Sequence, residues 1–296
     1  MSLSTCIAWV TLGLAESVAI VTLNLCTVTV FIKNRNLRKR STYLVINLAV
    51  IDMLSGGSAV YDFYRTGADC NVWKSHSIEG WALHILYAFM LLFPISSLSN
   101  ITIIALERMH ATLWPLRHRV LTKSVYGIII AVIWVTSGLT ALAHILLDHF
   151  GEIPHLYFYL RISLVVMCLL IIFVSYVSIV IKVRYGAQPQ HHGAANRERK
   201  LTMTLLIVTV VSLLLYLPFI TLYFLIFISK SKILQSLSSS ESFCLFSAIL
   251  AIFYANHLVN PVLYTIRMSE YRSALLALFC KRPQRQRRAV DLRDTQ

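Results

Sequence analysis

Tyr43-Leu44-Val45-Ile46-Asn47-Leu48-Ala49-Val50-Ile51-Asp52-Met53-Leu54 is a mostly apolar run with one carboxylate set in it. A charged acid at the centre of a membrane helix costs ~2.5 to 3.5 kcal/mol on insertion scales. A chain that keeps Asp52 there uses it, either as a functional group or as a structural carboxylate held by water and polar neighbours. The rest of the chain has the same character. Hydrophobic residues make up 57%, charged residues 14% and the mean hydropathy is +0.69, whereas a soluble domain carries about 25% charge. Apolar stretches long enough to cross a bilayer, ~20 residues, lie at about 7–32, 42–64, 80–106, 124–147, 157–181, 201–228 and 243–266. The sequence therefore predicts an all-α membrane protein, a seven-transmembrane helix bundle with its termini on opposite sides.

The basic residues predict the orientation. Of 27 Lys and Arg, all but Arg65, Lys74, Arg161, Lys230 and Lys232 fall in the first, third and fifth connections and the C-terminal region. By the positive-inside rule that face is cytoplasmic and the N-terminus is outside, as expected of a multi-pass plasma-membrane protein. The same asymmetry accounts for the net charge of +14, since basic juxtamembrane segments meet anionic headgroups. Membrane lipids are thus expected partners and nucleic acid is not. The first span reads as an uncleaved signal anchor. The glycosylation match Asn100-Ile101-Thr102 falls inside the third span, out of reach of the modifying enzyme. A single domain is expected over residues 1–280, followed by a basic, disordered tail over 281–296.

All but the fifth span also carry a recognisable mark. Asn24 lies in the first, Asn47 and Asp52 in the second, Glu107-Arg108-Met109 at the end of the third and Trp134 in the fourth. Pro218 lies in the sixth and Asn260-Pro261-Val262-Leu263-Tyr264 in the seventh. In this order, over about residues 7–280, the chain resembles a rhodopsin-like (class A) G-protein-coupled receptor. The resemblance implies no enzyme. It implies a receptor that carries an extracellular small-molecule, lipid or peptide signal to a cytoplasmic heterotrimeric G protein by opening an inner crevice between the third and sixth helices.

The resemblance also suggests roles for individual residues. Arg108 would pair with Glu107 or with Glu198 at the base of the sixth span, and on release would meet Tyr176 and Tyr264. Pro218 and Pro261 break their helical ladders and can act as hinges, with the Asn260 amide placed to bond freed backbone and also to face Asp52. Asp52, Ser97, Asn256, Asn24 and Asn260 resemble the family's sodium pocket. The same hydroxyls and amides serve a water-only network equally well, and His257 beside Asn256 brings bulk or a proton that could displace the ion.

Some positions depart from the family pattern. Tyr216 stands where a tryptophan precedes Pro218, Cys168 replaces the fifth-span proline, and Ser212 replaces a phenylalanine. The common bridge from the third span to the second outer loop cannot form, because Leu83 occupies the matching position and residues 148–162 contain no cysteine. The missing bridge and fifth-span proline, with the short second outer loop, resemble the cluster of melanocortin, lysophospholipid, cannabinoid and adenosine receptors. Cys6, Cys70 and Cys244 are expected near the outer surface, where one bridge among them can form, while Cys26 and Cys168 are expected to be buried.

Met90 occupies the place of the acid that amine receptors use. With Leu86, Tyr87, Phe219, Tyr223, Leu250 and Tyr254 it predicts an apolar aromatic pocket, with Asp62 near its outer end. No subfamily ligand signature survives, so the chain reads as an orphan. A transporter or nonsignalling scaffold is the alternative. Retinal chemistry is excluded, because no lysine lies between Lys232 and Lys281, and His144, Asp148 and His149 read as an interfacial cap rather than a metal site. Residues 268–280 predict an amphipathic helix on the inner leaflet, with Tyr271, Ala274, Leu275, Leu278 and Phe279 on one face and Cys280 as a palmitoylation site.

Overall fold

The computed structural model describes residues 2–34, 37, 42–74, 81–150, 154–185, 192–227 and 236–279. Side chains are described for these residues except 81, 148–150, 154–158, 183, 192–202 and 223. The helices are α1 Leu3–Lys33, α2 Thr42–Asp69, α3 Trp81–Leu113, α4 Pro115–Val120, α5 Lys123–Phe150, α6 Pro154–Tyr185, α7 His192–Phe227, α8 Ser239–Arg267 and α9 Ser269–Phe279. Seven of them are long and apolar enough to cross a membrane. The exceptions are α4, between the third and fourth spans, and α9 after the seventh.

Several helices run past the predicted spans, α2 to Asp69, α3 to Leu113 and α7 back to His192. Hydropathy marks only the lipid-crossing part, whereas a helix continues until its free backbone groups find other partners. At α1 the Ser2 side chain accepts the Thr5 amide at 3.2 Å. At α8, Ser238 and Glu241 form a reciprocal capping box. The end of α2 is a Schellman turn: Val72 N–H donates to the Gly67 carbonyl and Asn71 N–H to that of Ala68, both at 2.9 Å. Asn71 takes the left-handed conformation, φ 58°, that this turn requires. Trp73 then folds back, stacking on Tyr64 with ring centroids 5.5 Å apart and donating to the Tyr64 carbonyl.

Close approach of α1 and α2 depends on small residues, as expected where lipid supplies no hydrophobic drive between helices. A Cβ at Gly13 would stand 2.2 Å from the Phe63 ring. The core divides into two clusters. The larger surrounds Leu48, Ile101, Ala105, Ile172, Tyr176 and Tyr264 at the Arg108 end, and the smaller joins Ile20, Ala59, Phe63, Tyr216, Phe253 and Tyr254 at the Cys6 end. Large apolar side chains left exposed on the helices, Phe173 at 66% among them, form a surface suited to lipid.

The short helix α9 is docked on the bundle. Tyr271 is buried, and its hydroxyl and that of Thr27 on α1 share a hydrogen bond of 2.8 Å. Burial pushes the Tyr271 phenol pKa up, against the opposing effect of that hydrogen bond. Ala274, Leu275 and Leu278 pack on the larger cluster, but Phe279 is 71% exposed. The predicted five-residue face is therefore split: four residues meet protein and one points away. Cys280 and the tail over 281–296 lie outside the described residues.

Candidate functional site

Functional side chains occupy three levels along the bundle. At the first, Arg108 at the end of α3 is only 1% exposed. Its guanidinium pairs with Oε2 of Glu107 through Nε and Nη2. The other carboxylate oxygen, Oε1, accepts the Tyr126 hydroxyl of α5 at 3.0 Å and lies 2.7 Å from Nε2 of His118 on α4. One acid thus ties the arginine to the next two helices. Tyr176 donates to Thr209 on α7 at 2.7 Å. Tyr264 packs edge-on against Phe31 and Tyr271, with no hydrogen-bond partner for its hydroxyl among the described residues. The side chain of Glu198 lies outside the described ones.

At the second level, Asp52 is fully buried and both of its oxygens are engaged. Oδ1 accepts Ser97 Oγ at 3.2 Å and lies 2.7 Å from Nδ1 of His257, while Oδ2 accepts Asn260 Nδ2 at 2.6 Å. Asn24 donates across to the His257 carbonyl at 2.9 Å, bonding α1 to the backbone next to Pro261's turn. Asn256 is fully buried close to Tyr216. Beside this cluster a second polar chain joins three helices: Trp134 Nε1 donates to Asn47, Asn47 to Asn100, and Asn100 to the Leu44 carbonyl, all within 3.0 Å.

Of the five residues of the expected cation pocket, Asn24, Asn256 and Asn260 each keep a buried side-chain oxygen without a hydrogen-bond partner among the described residues, while the Asp52 carboxylate is met by Ser97, Asn260 and the His257 imidazole. Asp52 and His257 thus form a buried imidazole–carboxyl contact through Nδ1.

At the third level, near the Cys6–Cys70 disulfide, Asp62 accepts the Tyr254 hydroxyl at 2.5 Å. Arg65 donates to the Tyr87 hydroxyl and lies over its ring, 5.5 Å from the centroid. Phe253 is the aromatic hub, with Phe219 at 4.5 Å, Tyr254 at 5.3 Å, Tyr216 at 5.5 Å and His257 at 6.2 Å between ring centroids. A cleft of about 610 Å³, counted with its open mouth, runs between α3, α6 and α7 down to Tyr216 and Phe253.

Of the residues predicted to face a ligand, Phe219 lines this cleft. Asp62 and Tyr254 are bonded to each other, and Leu250 packs with Phe219 against the smaller core cluster. Leu86, Tyr87 and Met90 lie half-buried on α3. The Tyr223, Asp148 and His149 side chains lie outside the described ones.

Residues 23–264 match the profile of the 7 transmembrane receptor (rhodopsin family). The chain belongs to this family. The human substance-K receptor is 25% identical over 301 residues, spanning 92% of this chain and 72% of that protein. The human histamine H2 receptor is 26% identical over 290 residues, 84% of this chain and 73% of the relative. Mouse melanocortin receptor 5 is 23% identical over 301 residues, 92% of this chain and 83% of the relative. These relatives are receptors rather than enzymes, and their similar identities do not favour one subfamily over another.

The receptor's remaining side chains add groups that the motifs do not point to. Glu16 is a carboxylate inside the first apolar span, a signal as readable as that of Asp52, and its Oε2 is buried without a hydrogen-bond partner among the described residues. Pro94 interrupts α3 as Pro218 and Pro261 interrupt α7 and α8, and it withdraws the amide that the Met90 carbonyl would otherwise accept. Phe253 lies one turn before His257 on α8, where its spacing is legible but its centrality is not. His118 and Tyr126 are brought to Glu107 by tertiary packing, for which the sequence has no local sign. Cys26 is half-buried rather than buried, while Cys168 is buried.

Proposed function

We propose that this receptor carries an extracellular signal to a heterotrimeric G protein, with the N-terminus and the Cys6–Cys70 bridge outside and the Arg108 end in the cytoplasm. The basic bias of the Arg108 side supports that orientation. The observation that carries the reading is the buried Arg108–Glu107 pair, whose acid is shared with His118 and Tyr126. Meanwhile Tyr176 and Tyr264 are engaged with Thr209 and the Phe31–Tyr271 aromatic group. This is a closed arrangement. Opening requires Arg108 to leave Glu107 and the tyrosines to leave their present partners, with the Pro218 and Pro261 breaks giving α7 and α8 room to pivot. A ligand that binds the open form better shifts the balance toward it.

The geometry supports control by the imidazole of His257, rather than sodium, at the Asp52 level. Glu198 remains a second acid for Arg108, and Cys280 a lipid anchor for α9.

The experiment is ligand-independent G-protein activation at matched surface expression. Glu107→Gln should raise basal activity by a factor of ~5 to 30, equivalent to ~1 to 2 kcal/mol of closed-state preference. Arg108→Ala should abolish that gain when combined with it. If both variants and the wild type are alike and inert across G-protein families, the nonsignalling scaffold is the better description.

A further inference from the structure

Two hydroxyl residues of the chain have arginines both three and five positions before them: Thr122 follows Arg117 and Arg119, and Thr202 follows Arg197 and Arg199. Arginines at this spacing suit a protein kinase with an acidic substrate groove, because each guanidinium takes a carboxylate in a paired, charge-assisted contact. Such a groove holds its substrate extended. Thr202 lies inside the long helix α7, His192–Phe227, whose interior backbone is already hydrogen-bonded along the helix. Thr122 lies in the break between α4 and α5, and it is exposed together with Arg117 and Arg119. The fold therefore offers one of the two.

The segment before Thr122 is lightly held. Helix α4 has six residues, buries none of them, and has no side-chain hydrogen bond capping its start, and a helix of that length is not stable on its own. On its polar side His118 Nε2 lies 2.7 Å from Glu107 Oε1 and 3.4 Å from the Tyr126 hydroxyl. At its end Leu121 packs on the larger apolar cluster. For residues 117–122 to lie extended in a kinase groove, the helix must unwind and His118 must leave Glu107. The receptor's own acid and the kinase thus compete for one segment.

We propose that Thr122 is a phosphorylation site for an arginine-directed serine/threonine kinase, and that the form modified is the one whose α4 has let go of Glu107. The γ-phosphoryl group of magnesium ATP passes to Thr122 Oγ1: the bond from the γ-phosphorus to the bridging oxygen breaks, the Oγ1–phosphorus bond forms, the hydroxyl proton goes to a carboxylate base of the kinase, and ADP leaves. The inference rests on the receptor reading above for the cytoplasmic position of α4. It adds a regulation to that reading, since loss of the His118–Glu107 contact becomes a covalent mark. The phosphate, with a charge of about −1.5 to −2, follows the C-terminal end of α4, where the helix dipole opposes a negative charge. It therefore works against the return of α4 to Glu107.

The test incubates the purified full chain, in phosphatidylcholine nanodiscs, with magnesium ATP and a kinase catalytic domain selective for arginine at those two positions. Phosphate is located by peptide mass spectrometry, and initial rates are compared. Thr122 should take up phosphate while Thr202 takes none. Arg117→Gln combined with Arg119→Gln should slow the reaction about tenfold, Thr122→Ser should keep it, and Thr122→Val should abolish it. Glu107→Gln loosens His118 without altering the segment the kinase reads, and should speed the reaction ~3- to 10-fold. Tyr126→Phe, which removes one donor from Glu107, should speed it less. An unfolded chain would present both arginine-spaced segments, so Thr202 reports unfolding; if Glu107→Gln gains phosphate there, Tyr126→Phe decides. Phosphate at Thr202 rather than Thr122 in the wild type, or rates indifferent to the arginine pair, would overturn the site. Equal rates in the wild type and the folded loosening variants would overturn the coupling to Glu107. Faster phosphorylation of Glu107→Gln with no rise in its basal G-protein activation would uphold the proposal and count against the signalling reading alone.

Discussion

At the Arg108 end the buried charges close on one another. Glu107 is satisfied by Arg108, His118 and Tyr126, and the larger of the two apolar clusters among the described residues packs at this end. At the Cys6 end the apolar cluster is small and aromatic, Glu16 keeps a buried oxygen without a partner among the described residues, and a cleft enters between three helices. The first end has the properties of a latch: well packed, internally compensated and costly to break one partner at a time. The second has those of a receptive surface, whose open cleft leaves contacts for a ligand to complete. What joins the two is the fully engaged Asp52, bonded to α3 and α8 together.

If the Cys6 end is loosely packed, its covalent tie should matter most. The bridge joins the start of α1 to the residue that follows α2, across a sequence separation of 64. Cys70→Ser should lower unfolding stability by about 2 to 4 kcal/mol, read as thermal unfolding of purified receptor. Loss of protection from hydrogen exchange should be confined to the amides of the Cys6 end. Equal loss at the Arg108 end would show that the two halves are not mechanically separate.

The joining level can be broken at His257. Removing the imidazole leaves Asp52 with two donors and a vacated position. His257→Ser should destabilise by on the order of 3 kcal/mol, the scale for unpairing a buried ionic group. It should also create sodium dependence. Exchanging choline chloride for sodium chloride at fixed ionic strength should leave the wild-type melting temperature unchanged and raise that of the variant, and adding Asp52→Asn should remove the response. A sodium-induced rise in the wild type would mean that the ion, not the imidazole, partners Asp52.

Much of this architecture could be read from the chain because the bilayer imposes a simple rule. Apolar length marks a span, and a polar residue inside a span needs a partner. Asp52, Arg108, Asn260 and the prolines stand out for that reason, and the family resemblance assigns them to helices. Partnerships were less legible. That Glu107 is shared with His118 depends on how the six-residue α4 packs, and that His257 rather than water meets Asp52 depends on the rotation of α8. The ligand region was the least legible, because apolar and aromatic side chains line cavities and pack helices with the same composition. Phe219 and Leu250 were paired by their chemistry, yet only Phe219 faces the cleft, whose cation, Arg161, looks in sequence like any interfacial arginine.

The smallest effect expected is at α9, where the latch end meets the eighth helix. Tyr271 is buried, shares its hydroxyl hydrogen bond with Thr27 of α1, and lies with its ring 5.9 Å from that of Tyr264. Tyr271→Phe keeps the ring contacts and removes one neutral hydrogen bond, so it should cost about 1 kcal/mol. Thr27 retains its bond to the Leu23 carbonyl, which limits the loss by leaving its hydroxyl satisfied. Tyr271→Ala should cost several times more, because it also removes the ring that packs against Phe31 and Tyr264. If the two variants destabilise equally, the hydrogen bond and not the ring is what docks α9. If basal G-protein activation rises in Tyr271→Ala but not in Tyr271→Phe, the aromatic contact is part of the latch itself.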